Sequence, residues 1–319
     1  YYQFMRGDVP KALQIARIIK EKRIDMVHLG THISYERAGA VAAKISRVPC
    51  VSNVQMLNKL NHFDRILARF IDRFVFISNA AAQNYVAQGV PPDRGTVIHH
   101  GVDLAAFSVA YDGAAVRGEF GLGTDDFVVG NVGRLDWWKG HDFFLKAMAQ
   151  VAQVVPNLKC LVVGERETSA VNQAYFENLQ FLTESLGLSD KVVFTGFRSD
   201  VPRILSALDV MVHSSSLPEP FGIVIIEGMA AGRPVVATKA GGVLDIIEDG
   251  ISGLLVPCKD SKAMAEAVLQ LFSDREKAGQ MSLLARRRVE EKFTVEHHVG
   301  KVQRLYDSLR DGCGRSPGP

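Results

Sequence analysis

The chain has 319 residues, with 37 Lys and Arg against 35 Asp and Glu, a formal charge of +2. At roughly 150 residues per domain this length supplies about two domains with cores of their own, which excludes a disulfide-stapled miniprotein. Hydrophobic residues at 47% and charged residues at 23% are ordinary globular composition. No apolar run approaches the roughly 18 residues of a spanning helix, and the near-neutral balance excludes a general nucleic-acid binder.

In chain order, Leu13, Ile15, Ile18 and Ile19 share one side of a helix predicted over 9–23, followed by a strand over 24–29. A helix over 39–46, a strand over 49–54, a long amphipathic helix over 57–70 and a strand over 73–78 come next, then a helix over 79–88 and a strand over 96–99. The alternation pauses between Gly101 and Gly123, where turn residues suit an interdomain connection. It restarts with strands over 127–132 and 158–163 around a helix over 141–154, and continues with strands over 192–195, 209–213, 234–237 and 253–256. Helices are predicted between them over 175–186, 200–207, 223–231 and 244–247, and then over 261–273, 276–292 and 297–309. Residues 312–319 read as an unstructured tail.

Strand and helix alternation of this kind makes βαβ units and parallel sheets. The expected architecture is two Rossmann-like, doubly wound α/β domains, 1–108 and 109–296, that bind ligands at the carboxyl ends of their strands in a cleft between them. The helix over 297–309 is expected to return to the first domain, and 310–319 to be a tail. Residues 1–108 carry 14 Lys and Arg against 8 Asp and Glu, so the first half is the basic one. Cys50, Cys160, Cys258 and Cys313 form no C-x-x-C pair and no signal peptide opens the chain, so reduced thiols in the cytoplasm are expected.

The densest motif runs from Leu217 to Gly232. Pro218, Pro220 and Gly222 force a sharp entry into a helix whose unpaired N–H groups and dipole suit an anion. Glu219 precedes the turn and is placed to project into the cleft. Glu227, early on the helix, is placed to accept two hydrogen bonds from a diol such as ribose. A second motif, Gly130 to Gly140, ends a strand in a loop with Arg134 and Lys139 five positions apart. Two cations at a strand's carboxyl end suit a diphosphate, the guanidinium by paired hydrogen bonds and the ammonium as a point charge. The nine histidines show no metal-ligand spacing, so no metal and no cofactor are expected.

Together the Glu219 to Glu227 element, the Gly133-Arg134 and Lys139-Gly140 loop, and Gly241-Gly242-Val243 with Glu248 to Pro257 resemble the retaining, nucleotide-sugar-dependent glycosyltransferases of GT-B fold, of the group 1 and family 4 type. Val163-Gly164, Val193 to Phe197 and Ile98 to Asp103 agree in order. The resemblance implies that Arg134 and Lys139, beside Gly133, hold the donor diphosphate, and that Glu227 holds the ribose. It implies that Glu219 and the backbone of Phe221, Gly222 and Ile223 face the donor sugar and its phosphate, and that the backbone near Phe197 and Arg198 meets the base. Glu219, Arg134 and Lys139 are then the catalytic candidates, for transfer with retention to a glycan, lipid-linked or lipopolysaccharide-type acceptor.

Two departures bear on function. Many relatives place a histidine after the strand Cys50 to Val54, where this chain has Gln55, and His32 is a candidate substitute for contact with the sugar. Relatives also begin with a strand, a Gly-Gly loop and further elements ahead of the point where this chain opens, at Tyr1 without methionine, so the first domain is expected to lack its opening strands. A basic edge of Lys59, Arg65, Arg69 and Arg73 beside Leu60, Phe63, Ile66, Leu67 and Phe70 offers peripheral contact with an anionic membrane, although a core-facing helix explains the same pattern. Within the enzyme class the alternative is a phosphorylase or a sucrose- or trehalose-synthase-like enzyme. Outside it, the alternative is a catalytically silent GT-B domain that binds a nucleotide sugar or a protein partner.

Overall fold

The computed structural model describes residues 7–165 and 170–312; the opening Tyr1 to Phe4, Cys313 and the rest of the tail lie outside them. The chain divides into two compact units, one made of the residues up to His100 with those from Glu296 onward, the other of Gly101–Val295.

In the first unit α1 (Val9–Glu21), β1 (Val27–Leu29), α2 (Arg37–Ser46), β2 (Cys50–Val54), α3 (His62–Leu67), β3 (Arg73–Phe76), α4 (Asn79–Val86) and β4 (Gly95–Val97) build a parallel sheet in the order β1-β2-β3-β4. Alternate residues of each strand face opposite sides. Val51 and Val75, with Ile98, pack against Leu305 of the C-terminal helix Val295–Gly312. Elsewhere Phe74, Phe76 and Tyr85 form a buried aromatic cluster with ring centroids 5.6 to 6.4 Å apart.

The expected long helix over 57–70 is short, followed by a single 3-10 turn at Ala68–Phe70. Its start is fixed by Asn61, whose side-chain oxygen accepts the Asp64 N–H at 2.8 Å. Ahead of it the Gln88 side chain accepts the Leu60 N–H at 2.5 Å and donates to the Asn58 carbonyl at 3.1 Å, taking backbone groups that another helical turn would need. Leu60 and Leu67 are buried, so much of this segment's apolar surface is core.

The stretch over 101–123 is more than a connection. It contains α5 (Ala105–Ser108) and α6 (Gly113–Glu119), and Arg117 of α6 donates to the Ala207 carbonyl at 3.0 Å and pairs with Asp209 at 2.9 Å, which ties it to the second unit. There β5 (Phe127–Val132), α7 (His141–Ala152), β6 (Leu158–Val163), α8 (Ala170–Ser185), β7 (Val192–Gly196), α9 (Val201–Leu205), β8 (Val210–His213), α10 (Ile223–Ala230), β9 (Val235–Thr238), α11 (Val243–Ile246), β10 (Leu254–Val256), α12 (Ser261–Ser273) and α13 (Arg275–Lys292) follow. The parallel sheet runs β10-β9-β8-β5-β6-β7. From β5 the chain proceeds to one side through β6 and β7, then crosses back to β8 on the other. The order therefore reverses between β5 and β8, and ligand crevices open beyond the carboxyl ends of strands at such a point. Among the described residues Cys50, Cys160 and Cys258 are free thiols, and no helix is long and apolar enough to cross a membrane.

Candidate active site

The second-unit residues expected to carry chemistry gather largely where β5 and β8 end. β5 runs into Gly133-Arg134-Leu135-Asp136, one 3-10 turn at Trp137–Lys139, and Gly140, which starts α7. Serines that follow β8 strap this loop down. Ser214 donates its hydroxyl to the Lys139 carbonyl at 2.9 Å and accepts from Asn131 at 2.8 Å, while the Ser216 N–H donates to the Trp138 carbonyl at 2.8 Å. With its backbone fixed, Lys139 extends its ammonium 4.2 Å over the Trp138 ring and donates to both oxygens of Glu219, at 3.1 and 3.0 Å.

Glu219 is 8% exposed and fully occupied. Its Oε2 also accepts from Ser215 at 2.8 Å and lies 3.1 Å from His213 Nε2. Burial works to raise its pKa, but the His213 hydrogen bond and the charges of His213 and Lys139 prevail and hold it at about 2. Its backbone is clamped by the Gly241-Gly242 pair, since the Gly242 N–H donates to the Glu219 carbonyl at 2.8 Å. Gly241 is left-handed, φ +69°, and a Cβ there would sit 2.1 Å from the Glu219 carbonyl oxygen. Gly241→Ala should therefore cost about 1–3 kcal/mol of stability, read from urea unfolding, and a midpoint matching the wild type would show that the clamp gives way freely.

The two cations are not equivalent. The Arg134 side chain is 57% exposed and rests 3.1 Å from Asp136, which is buried and held by Asn172 at 2.9 Å. Lys139 is inside the site and Arg134 at its edge. Gly222, left-handed at φ +106°, delivers the chain into α10 at Ile223, whose side chain is half exposed. Phe221 turns its ring into the core against Phe293, centroids 6.1 Å apart, so it presents backbone rather than ring. Glu227 is half-buried on α10 and forms no ion pair among the described residues; burial alone pushes its pKa up.

Beyond β7, Phe197 is 68% exposed. Arg198 is committed to a surface network: two bonds of 2.8 Å to Asp200, one of 2.5 Å to Glu119, and a place 5.5 Å over the Phe120 ring. Chiefly through the Arg198 hydrogen bonds, the Asp200 carboxyl falls far below its ordinary range. Arg198 thus offers backbone, with its guanidinium spoken for.

In the first unit His32 is 2% exposed. Its Nδ1 accepts the Ser34 N–H at 3.1 Å, its ring lies edge-on to Tyr35 and Tyr85, and burial lowers its pKa. Gln55 donates to the Gly30 carbonyl at 3.0 Å, and Glu36 accepts the N–H groups of Gly30 and Thr31. Both candidates thus brace the loop after β1. The residues that sequence reasoning missed are His213, Ser214, Ser215 and Ser216. Their signal was a run of four polar residues that closes an apolar strand, His213 as its last residue and the three serines after it, all of them buried.

Two parallel-sheet, Rossmann-like units in this order are the architecture of GT-B glycosyltransferases. Residues 114–288 match Glycosyl transferases group 1 and residues 2–106 match Glycosyltransferase Family 4; the chain belongs to the group 1 glycosyl transferase family. Anabaena Alr3699/HepE, solved in complex with UDP and glucose, is 28% identical with a TM-score of 0.82 over 92% of this chain and 81% of that one. The lipopolysaccharide core biosynthesis mannosyltransferase LpsB of Rhizobium meliloti is 30% identical over 67% of this chain and 61% of its own length. The D-inositol 3-phosphate glycosyltransferase of Mycolicibacterium smegmatis is 29% identical over 100% of this chain and 70% of its own. The chain thus spans about three fifths and seven tenths of these two curated relatives.

Proposed function

We propose that this chain serves a retaining glycosyltransferase that takes a sugar from a nucleoside-diphosphate donor and passes it to a glycan, lipid-linked or lipopolysaccharide-type acceptor, without a metal ion. The observation that carries the reading is the juxtaposition of Lys139 and Glu219 at the β5–β8 switch point. In this reading the donor diphosphate takes Lys139 away from Glu219 and draws Arg134 from the edge, and α10 adds N–H groups from Ile223. The same cations stabilise the diphosphate as it leaves, and a leaving oxygen takes the acceptor's proton on the face where the new bond forms. Glu227 receives the ribose hydroxyls, Glu219 the transferred sugar, and the backbone of Phe197 and Arg198 the base. Binding of UDP or of UDP-glucose by the Anabaena neighbour supports the donor class, and the Rhizobium relative's name supports the acceptor class.

A thermal-shift panel of UDP, GDP and ADP, each free and as its glucose or mannose conjugate, tests the donor class. One base series should raise the melting temperature, since a ligand at about a hundred times its Kd adds about 2.7 kcal/mol to the native state. A panel without any shift overturns the reading.

Glu227 adds an expectation with two opposite signs. Because its folded pKa is raised, its ionised form opposes folding at neutral pH, and that opposition fades as pH falls through the raised value. Glu227→Gln should therefore melt slightly higher than the wild type yet bind the nucleotide about 1–2 kcal/mol more weakly. Calorimetry beside a melt reads both; a variant weakened in both would place Glu227 in the framework rather than at the ribose.

A further inference from the structure

His213 is the last residue of β8, and its ring is buried between that strand and the Glu219 carboxylate. We propose that His213 is the positioning residue of Glu219, and that with Ser215 it turns one particular carboxylate oxygen toward the donor sugar. The inference rests on the assignment of Glu219 to the transferred sugar made above, and it adds which atom does the work and what holds it.

The contacts are unequal across the carboxylate. Oε2 receives three partners: Ser215 Oγ at 2.8 Å, Lys139 Nζ at 3.0 Å and His213 Nε2 at 3.1 Å. Among the described residues Oε1 has Lys139 alone, at 3.1 Å. Ser215 also lies 3.0 Å from His213 Nε2, so the three side chains close a triangle that fixes the carboxylate plane. Behind it, Thr238 of β9 places its hydroxyl 3.5 Å from His213 Nδ1, on the side of the ring away from the carboxylate. His213, Ser215 and Thr238 are all less than 5% exposed. Among the described residues the other charged or titratable groups near this triangle are Lys139 and His141; burial drives the His141 pKa down to about 3, so that ring adds no charge at neutral pH. When a diphosphate draws Lys139 off, Oε2 keeps two of its donors and Oε1 is left with none. Oε1 is then the acceptor for a hydroxyl of the donor hexose, held by a carboxylate that cannot rotate.

The test uses glutamate-labelled protein and follows the Glu219 carboxyl by carbon NMR during acid titration, in the wild type, His213→Phe, His213→Gln and the milder Ser215→Ala. A merely structural histidine would change the melt and leave this titration in place. The proposal expects the Glu219 midpoint to rise by roughly one unit or more in His213→Phe, to rise less in Ser215→Ala, and to return toward the wild type in His213→Gln, which keeps an N–H donor. A second arm measures affinity for UDP and for UDP-glucose in the same proteins and in Glu219→Gln. His213→Phe and Glu219→Gln should each lower the ratio of UDP-glucose to UDP affinity by roughly tenfold. Unmoved titration in both His213→Phe and Ser215→Ala overturns the positioning role; if His213→Phe does not fold, Ser215→Ala decides. A ratio unchanged in Glu219→Gln overturns the sugar assignment instead, and a ratio lowered in Glu219→Gln but not in His213→Phe overturns the positioning role alone.

Discussion

Replacing Lys139 by alanine should weaken nucleoside-diphosphate binding by about 2 kcal/mol, roughly thirtyfold, the scale of a charge-assisted hydrogen bond in a sheltered site. The same substitution should also destabilise the second unit by about 1–3 kcal/mol, because Glu219, with 10% of its side chain exposed, loses a charge partner and keeps only His213 and Ser215. Arg134→Ala offers the contrast. Its side chain is 57% exposed beside the buried Asp136, so binding should weaken while stability falls by less than in Lys139→Ala, by about 1 kcal/mol or less. Calorimetry gives the first quantity and urea unfolding the second. Unchanged nucleotide affinity in both variants would remove the diphosphate from this loop.

An acid limb in the stability curve is the second large effect. Glu219 is held at about 2 in the folded chain against an ordinary 4.5, so its ionised form favours folding at every pH above the ordinary value. That contribution, on the order of 3 kcal/mol, is lost as pH falls through 4.5 toward 2. Glu219→Gln should therefore be less stable than the wild type near neutrality by an amount of that order, and the two should converge in strong acid. Urea midpoints of both proteins at about pH 7, about pH 5 and about pH 3 trace the convergence. A gap that stays constant with pH would mean that the glutamine disturbs packing and that the charge of Glu219 contributes little.

Much of the fold was readable because the second-half strands are near-continuous apolar runs. Phe127–Val132, Leu158–Val163 and Val235–Thr238 are buried strands of a parallel sheet, and such strands announce themselves by composition. The reading failed where a single side chain overrode periodicity. Gln88 captures the backbone ahead of α3, and Arg117 ties α6 to Asp209; both contacts join residues at least 28 positions apart, which no local pattern encodes. In the site, residue types revealed the cations and carboxylates but not their standing. Lys139 and Arg134 read alike along the chain, yet only one is enclosed, because the serines after β8 pull its loop down. His32 read as a candidate for sugar contact or a plain loop histidine; it is buried, with its Nδ1 accepting the Ser34 N–H.

The ion pair between Lys139 and Glu219 also sets a threshold for admission. A small solvent anion reaching this ammonium has to outbid a carboxylate that contacts it through both oxygens, in surroundings where salt screens poorly. Chloride or inorganic phosphate brings charge and nothing to replace what Glu219 gives up. A diphosphate carrying a sugar brings both, charge for the lysine and hydroxyls for the carboxylate it has displaced. On the proposed reading the pair therefore ranks its visitors: a simple anion offers least, a free nucleoside diphosphate more, and a sugar nucleotide, which also supplies hydroxyls to Glu219, the most.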